Sequence, residues 1–261
     1  METLHFGIRS GKLGAATDHV TYVTRKGPYE ARNDLAATGY GNMPAFAQDQ
    51  PMLLWQASER NERKNGSTFR SYTISLPNIL TIEQLTELAW QEARRLAGTK
   101  PFQFALHITR SSLRDELHPH VHIVICDRLP DGIERSPEQM FRRYNPSHPE
   151  KGGCRKDSGG KTRQELHSCM TAQRKAAADE INTALAKHGH DQRVDHRTLR
   201  ERGIKRAPER YLGPGTIRKM TKEQRAAHAE KHRGERQTDD RTMHSDGDTL
   251  IRPSGNGSSS S

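Results

Sequence analysis

His118-Pro119-His120-Val121-His122 sets three imidazoles at alternate positions, running into Ile123-Val124-Ile125. In an extended chain alternate side chains share a face, so these rings stand together. Imidazole is the commonest side-chain ligand for a metal near neutral pH. His107 closes the earlier apolar run Phe102–Leu106, and pairing of the two segments brings it beside His120 and His122. Proline suits a strand entrance, which leaves His118 at the loop edge and selects His107, His120 and His122 as ligands. Three neutral imidazoles leave open positions, where a divalent ion such as Mg or Mn could act as a Lewis acid toward a phosphate.

The nucleophile expected beside such a centre is Tyr22, close to Asp18 and His19. Attack by a phenol on a phosphodiester forms an ester of similar bond energy, so the reaction can be reversed without ATP. A phenol holds its proton at neutral pH and needs a cation or base nearby. Arg25 and Lys26, within one turn, are the candidates and are also expected to meet DNA phosphates.

These residues need a scaffold. Leu4, Phe6 and Ile8 alternate as a first strand, and residues 14–26 carry Ala16, His19, Val20 and Val23 at helical spacing. Residues 29–66 are mixed, with Leu53, Leu54 and Trp55 as core pieces of a short helix. Phe69–Leu76 reads as a strand, and Thr81 with Gln84 opens a capping box for a helix through Ala97. Phe102–Ile108 and His120–Cys126 form the best strand pair, apolar on both faces and therefore central. Ser136-Pro137 starts a short helix, and a long one runs from about Arg163 to His188, closed by Gly189. Asp195 is expected to cap a short helix ending at Gly203. From Thr221 onward helix is the most that the residues support, and Ser254–Ser261 reads as a flexible tail.

The 261 residues carry a net charge of +10, with 31% apolar and 28% charged side chains. That balance implies a modest core and a polyanionic partner, since Lys and Arg release counterions from a phosphate backbone. The 3 cysteines, Cys126, Cys154 and Cys169, form no C-x-x-C pair and suit reduced thiols. No apolar run reaches membrane-spanning length and no signal-type apolar core opens the chain, so a soluble cytoplasmic protein is expected.

Asp18-His19-Val20-Thr21-Tyr22-Val23-Thr24-Arg25-Lys26-Gly27-Pro28-Tyr29 resembles the nucleophile region of MobA/MobL-type plasmid mobilization relaxases. His118–His122 resembles their histidine motif, usually N-P-H-x-H. Asp131–Arg135, Arg143-Tyr144-Asn145, Pro149–Gly153 and Gly189 to Leu199 look like further blocks in the same order, so the likeness covers about residues 3–215. It implies an α+β HUH endonuclease with a central antiparallel five-stranded β-sheet flanked by helices. Residues 216–261 would add a basic, partly helical extension. It also implies nicking of one strand at an origin of transfer and a 5′-phosphotyrosine link, with Tyr22 as nucleophile and His107, His120 and His122 as ligands. Partners would be single-stranded origin DNA, accessory mobilization proteins and a coupling protein in a bacterial cytoplasm. The chain departs from the family where His118 replaces the usual Asn. It also has Ser71, Thr73 and Asn78 where relatives place carboxylates, a task left vacant or passed to Asp18, Asp115 or Glu116.

DNA positioning is expected from Lys151 in the glycine-rich loop 151–161, read as mobile, and from Arg193, Arg197 and Arg200 in the basic stretch 193–210. Tyr29 and Tyr144 are candidates for base stacking. Three other functions share parts of this pattern. A histidine-triad nucleotide hydrolase fits His118–Val124 without a metal but leaves the charge and Tyr22 unused. A non-catalytic DNA-binding accessory protein fits the missing carboxylates. A rolling-circle replication initiator uses the same chemistry to start replication.

Overall fold

The computed structural model describes residues 2–111, 116–205, 212 and 214–231. Its described residues fall into two compact units, one of residues 2–110 with 117–196, the other of 111 and 116 with 197–205, 212 and 214–231.

The larger unit is built on a sheet of β2 (Phe6–Gly11), β3 (Leu35–Gly41), β4 (Phe69–Ser75), β5 (Phe102–Arg110) and β6 (Leu117–Ile125). Its order is β2-β4-β6-β5-β3, and every neighbouring pair is antiparallel. A short parallel pair, β1 (Glu2–Thr3) with β7 (Val194–Asp195), lies outside it. The helices are α1 (Ala16–Val23), α2 (Pro51–Asn61), α3 (Ile82–Ala97), α4 (Pro137–Met140) and α5 (Arg163–Lys187). This is the antiparallel five-stranded sheet with flanking helices that the resemblance implies.

Alternation along β6 sorts the two faces. Val121, Ile123 and Ile125 join Tyr72, Ile74, Phe104 and Leu106 in a core shared with α3 and α5. On the other face Val124 packs with Phe69, Ala105, Cys126 and with Val20, Leu54 and Trp55 of α1 and α2. The histidines lie on this second face. α3 starts with the expected capping box at Thr81 and buries Leu85, Leu88, Ala89, Glu92 and Leu96. α5 opens with a second capping box at Thr162, and Gly189 beyond its end takes φ 77°.

Several elements differ from the expectation. Edge strand β3 falls in the segment read only as mixed, because Leu35-Ala-Ala-Thr-Gly-Tyr-Gly41 is poor in β-branched residues. Gly39 is required there, since a Cβ would stand 2.4 Å from the Trp90 ring. β6 begins at Leu117, so Pro119 lies inside the strand and not at its entrance. Pro119 pairs with Ile108, and its carbonyl accepts from Leu76 N–H just past the end of β4. The missing N–H of Pro119 points to that same side, so no ladder bond to β5 is lost. Asp195 caps no helix but is buried in β7.

Of the expected 195–203 helix, residues 197–203 lie in the smaller unit and form a bend and turns, in which Thr198 Oγ1 accepts from Glu201 N–H. α6 (Pro214–Lys219) follows, then a helix over 222–231 capped by Thr221. The predicted Ser254–Ser261 tail lies outside the described residues. No described helix is long and apolar enough to cross a membrane.

Candidate active site

The central strand pair sets the histidines in register: His107 of β5 lies opposite His120 of β6, and Ala105 opposite His122. The three rings form a cluster with centroids 5.0–5.3 Å apart. One nitrogen from each ring lies within 4.8 Å of those of the others, the one such cluster among the described residues. Burial, the largest influence on each, lowers the basicity of all three rings, His107 to about 4 and His122 to about 3. All three are therefore neutral at pH 7, with lone pairs available to a metal.

Hydrogen bonds select the nitrogens. His122 Nδ1 is 3.1 Å from Thr73 Oγ1, and His120 Nδ1 donates to the His118 carbonyl at 3.0 Å, leaving Nε2 of each ring to face the cluster. His107 is reversed: its Nε2 donates to Val23 O at 2.7 Å, so Nδ1 carries the lone pair, which accepts from Arg25 Nη2 at 3.3 Å and reaches a metal only when that contact opens. His118 sits in the strand with its ring 5.5 Å from His120, outside the cluster of three. The donor set fits a divalent ion with open coordination positions.

Tyr22 is tied to this cluster through Arg25. α1 ends in a Schellman arrangement, with Lys26 N–H donating to Thr21 O and Arg25 N–H to Tyr22 O. The position that normally holds glycine is Arg25, at φ 53°. Left-handed backbone costs a side-chain-bearing residue about 1 kcal/mol or more. The guanidinium offsets that cost: it donates to Asp34 through Nε at 2.7 Å and Nη2 at 2.8 Å, and to the Tyr22 carbonyl at 2.6 Å. Nη2 also lies 3.3 Å from His107 Nδ1, and the guanidinium carbon sits 4.6 Å from the Tyr22 ring centroid. One buried cation thus touches both the candidate nucleophile and a candidate ligand. Asp34 neutralises it, and the hydrogen bond to Arg25, the largest influence, lowers the basicity of Asp34.

The sequence reading missed two members of this site, Asp34 and Arg32, and gave a third, His19, no role. Asp34 is the carboxylate that no weighed position supplied: Asp18 is exposed, Asp115 lies outside the described residues, and Glu116 belongs to the other unit. Arg32 donates to Tyr22 Oη at 3.4 Å and lies over both the Tyr22 and Tyr29 rings, which meet edge to face at 5.1 Å. His19, one turn before Tyr22, stacks on Phe69 at 4.7 Å and meets Ser71 Oγ at 3.0 Å. Burial, then Arg9, lowers its basicity to about 4. A segment of mixed polarity hid Asp34 and Arg32; the arginines flanking a tyrosine were the available signal.

The other expected DNA contacts fall in different surroundings. Arg25 is buried and its donors face protein groups, so it is not a surface cation. Lys26 and Lys151 are exposed. Arg193 donates to the His190 and Gln192 carbonyls. Arg197 and Arg200 are exposed in the smaller unit. The 151–161 loop is anchored: Gly152 and Gly153 are buried, Lys156 binds Ser67 O and Glu62, and Lys161 pairs with Asp157. At Gly153 a Cβ would come within 2.3 Å of the Arg142 carbonyl, so these glycines serve close packing and not approach of a phosphate.

The chain is similar to several known proteins. It is 35% identical over 209 residues to the 43 kDa relaxation protein of Salmonella typhimurium, covering 79% of this chain and 56% of that protein. It is 38% identical over 218 residues to Mobilization protein A of Escherichia coli, covering 82% of this chain and 29% of that protein. The chain therefore spans about half or less of the length of these relatives. Its fold is similar, with a TM-score of 0.54 and 19% identity, to a structure described as the molecular basis of vancomycin resistance transfer in Staphylococcus aureus. That match covers 75% of this chain and 99% of the other. The MobA/MobL family profile matches residues 17–223, which takes in α1, the whole five-stranded sheet except β2, and the histidine cluster: the chain belongs to the MobA/MobL family.

Proposed function

We propose that this chain is a strand-specific DNA relaxase that nicks an origin of transfer through Tyr22 and later rejoins the strand. The observation that carries the proposal is the Arg25 link, which holds the Tyr22 ring against the residue that binds His107. Tyr22 Oη forms a bond to phosphorus, and the bond from phosphorus to the 3′ oxygen breaks. The phenolic proton ends on that oxygen, leaving a 3′ hydroxyl and a 5′-phosphotyrosine. Rejoining is the reverse. A divalent ion (Mg or Mn), held by His107, His120 and His122, would draw charge from the phosphate as a Lewis acid. Arg32, donating to Tyr22 Oη, stabilises the oxygen as it loses its proton and again as it leaves. Arg25 and Asp34 fix the ring, and Lys26, exposed at the end of α1, meets a phosphate of the bound strand. The substrate is single-stranded DNA at the origin, the setting is the bacterial cytoplasm, and accessory mobilization and coupling proteins complete the transfer complex.

The test is a supercoiled plasmid carrying the DNA that flanks the encoding gene. Open circles with protein on the 5′ end, abolished by EDTA and restored by Mn, are expected. An unchanged plasmid, or nicks with free 5′ ends, would overturn the proposal.

A further inference from the structure

An open hollow of about 520 Å³ is lined by Arg142, Arg143, Tyr144, Asn145, Pro146, Lys151 and Gly152. Its walls are built by two buried arginines. Arg128 donates to the carbonyls of Phe141, Arg142 and Cys154 and pairs with Glu62. Arg135 donates to the carbonyls of Gly152, Ile133 and Pro149 and pairs with Asp131. These bonds hold the backbone of the two lining segments while Arg142, Arg143 and Lys151 project outward, all exposed.

The outward cations are unspent. Among the described residues none of the three makes an ion pair, whereas Lys100 and Lys161 both bind Asp157, Lys175 binds Asp179 and Lys187 binds Glu87. Exposed Glu150 pairs with His148 instead, and Arg142 acts only through space on exposed Glu138. Tyr144 is half-buried, and among the described residues no ring or cation stacks on it. A rigid, polar hollow of this size with three free cations around one unstacked ring suits a phosphate-linked aromatic ligand better than an apolar one.

We infer that this hollow is a second contact for single-stranded DNA, holding a base against Tyr144 and the flanking phosphates on Arg142, Arg143 and Lys151. The identity of the polymer rests on the strand-transfer proposal. The full chain is titrated with a fluorescent single-stranded oligonucleotide in EDTA, and covalent capture is scored separately with Mn. Tyr144→Ala weakens binding about tenfold and Tyr144→Phe does not, as expected for one stacked base. Arg143→Gln and Lys151→Gln each flatten the dependence of log affinity on log salt by about 0.7. Equal affinities for Tyr144→Ala and Tyr144→Phe overturn the inference. So does competition by an acidic peptide that matches, charge for charge, an unlabelled oligonucleotide. Adduct formation with a Tyr144-independent affinity removes the hollow and leaves strand transfer standing. Tyr144-dependent affinity without any adduct does the reverse.

Discussion

Asp34→Asn tests the link between tyrosine and metal cluster. The carboxylate holds Arg25 with two hydrogen bonds of 2.7 and 2.8 Å, and the side chains are 5% and 21% exposed for Arg25 and Asp34. Breaking a fully buried ion pair by removing one partner costs about 3–5 kcal/mol, because the remaining charge is stranded. Asp34 keeps some contact with water, so a loss of about 2–3 kcal/mol is expected. For a chain this long that lowers Tm by roughly 5–10 °C. The same change leaves a full positive charge 3.3 Å from His107 Nδ1, and Mn affinity should fall about tenfold, or about 1.4 kcal/mol. The double variant Arg25→Met with Asp34→Asn removes both charges. It should recover most of the Mn affinity and part of the stability, because no charge is left unpaired. Melting curves and Mn titration calorimetry on the two single variants and the double variant give the cycle. An Asp34→Asn protein that melts and binds Mn like the parent, or a double variant no better than Asp34→Asn, would refute the reasoning.

Other perturbations follow from the same geometry. Arg25→Gly relieves the φ of 53° but loses the guanidinium, so the expected outcome is lower stability despite the better backbone, read by urea denaturation. His120→Ala or His122→Ala should weaken Mn binding by about a hundredfold in calorimetry, and His118→Ala by much less, since it stands outside the cluster. His19 and His107 titrate at about 4 and His122 at about 3 in the fold, against about 6.5 in the unfolded chain. The unfolded state therefore binds more protons between these values. Metal-free stability should be complete above about pH 6.5 and fall steadily as the pH drops toward 4. A flat urea midpoint across that window would count against the buried neutral rings.

Where one element carries its own signal, the sequence shows it plainly. The period of α3, its capping box and the alternation of β6 depend on local residues, and all three are observed. The histidine cluster was legible for the same reason, given only that two apolar runs pair. What escaped depends on tertiary surroundings. β3 is an edge strand of small residues, recognisable through Gly39 only once Trp90 lies over it. Asp34 and Arg32 were hidden with it. Arg25 carries the formal mark of a surface cation, and its burial comes from the Asp34 carboxylate brought over by β3. The glycine-rich stretch 151–161 reads as a mobile loop because glycine allows both close packing and freedom of movement, and sequence alone does not separate the two.

The most direct measurement is the residue that becomes linked to DNA. The full chain is incubated with Mn and a single-stranded oligonucleotide spanning its origin, digested, and mapped by mass spectrometry. The account predicts a nucleotide phosphate esterified to Tyr22, absent from Tyr22→Phe while that variant still binds the oligonucleotide. A cleaved strand with the adduct on Tyr29, or cleavage with no adduct at all, would contradict it.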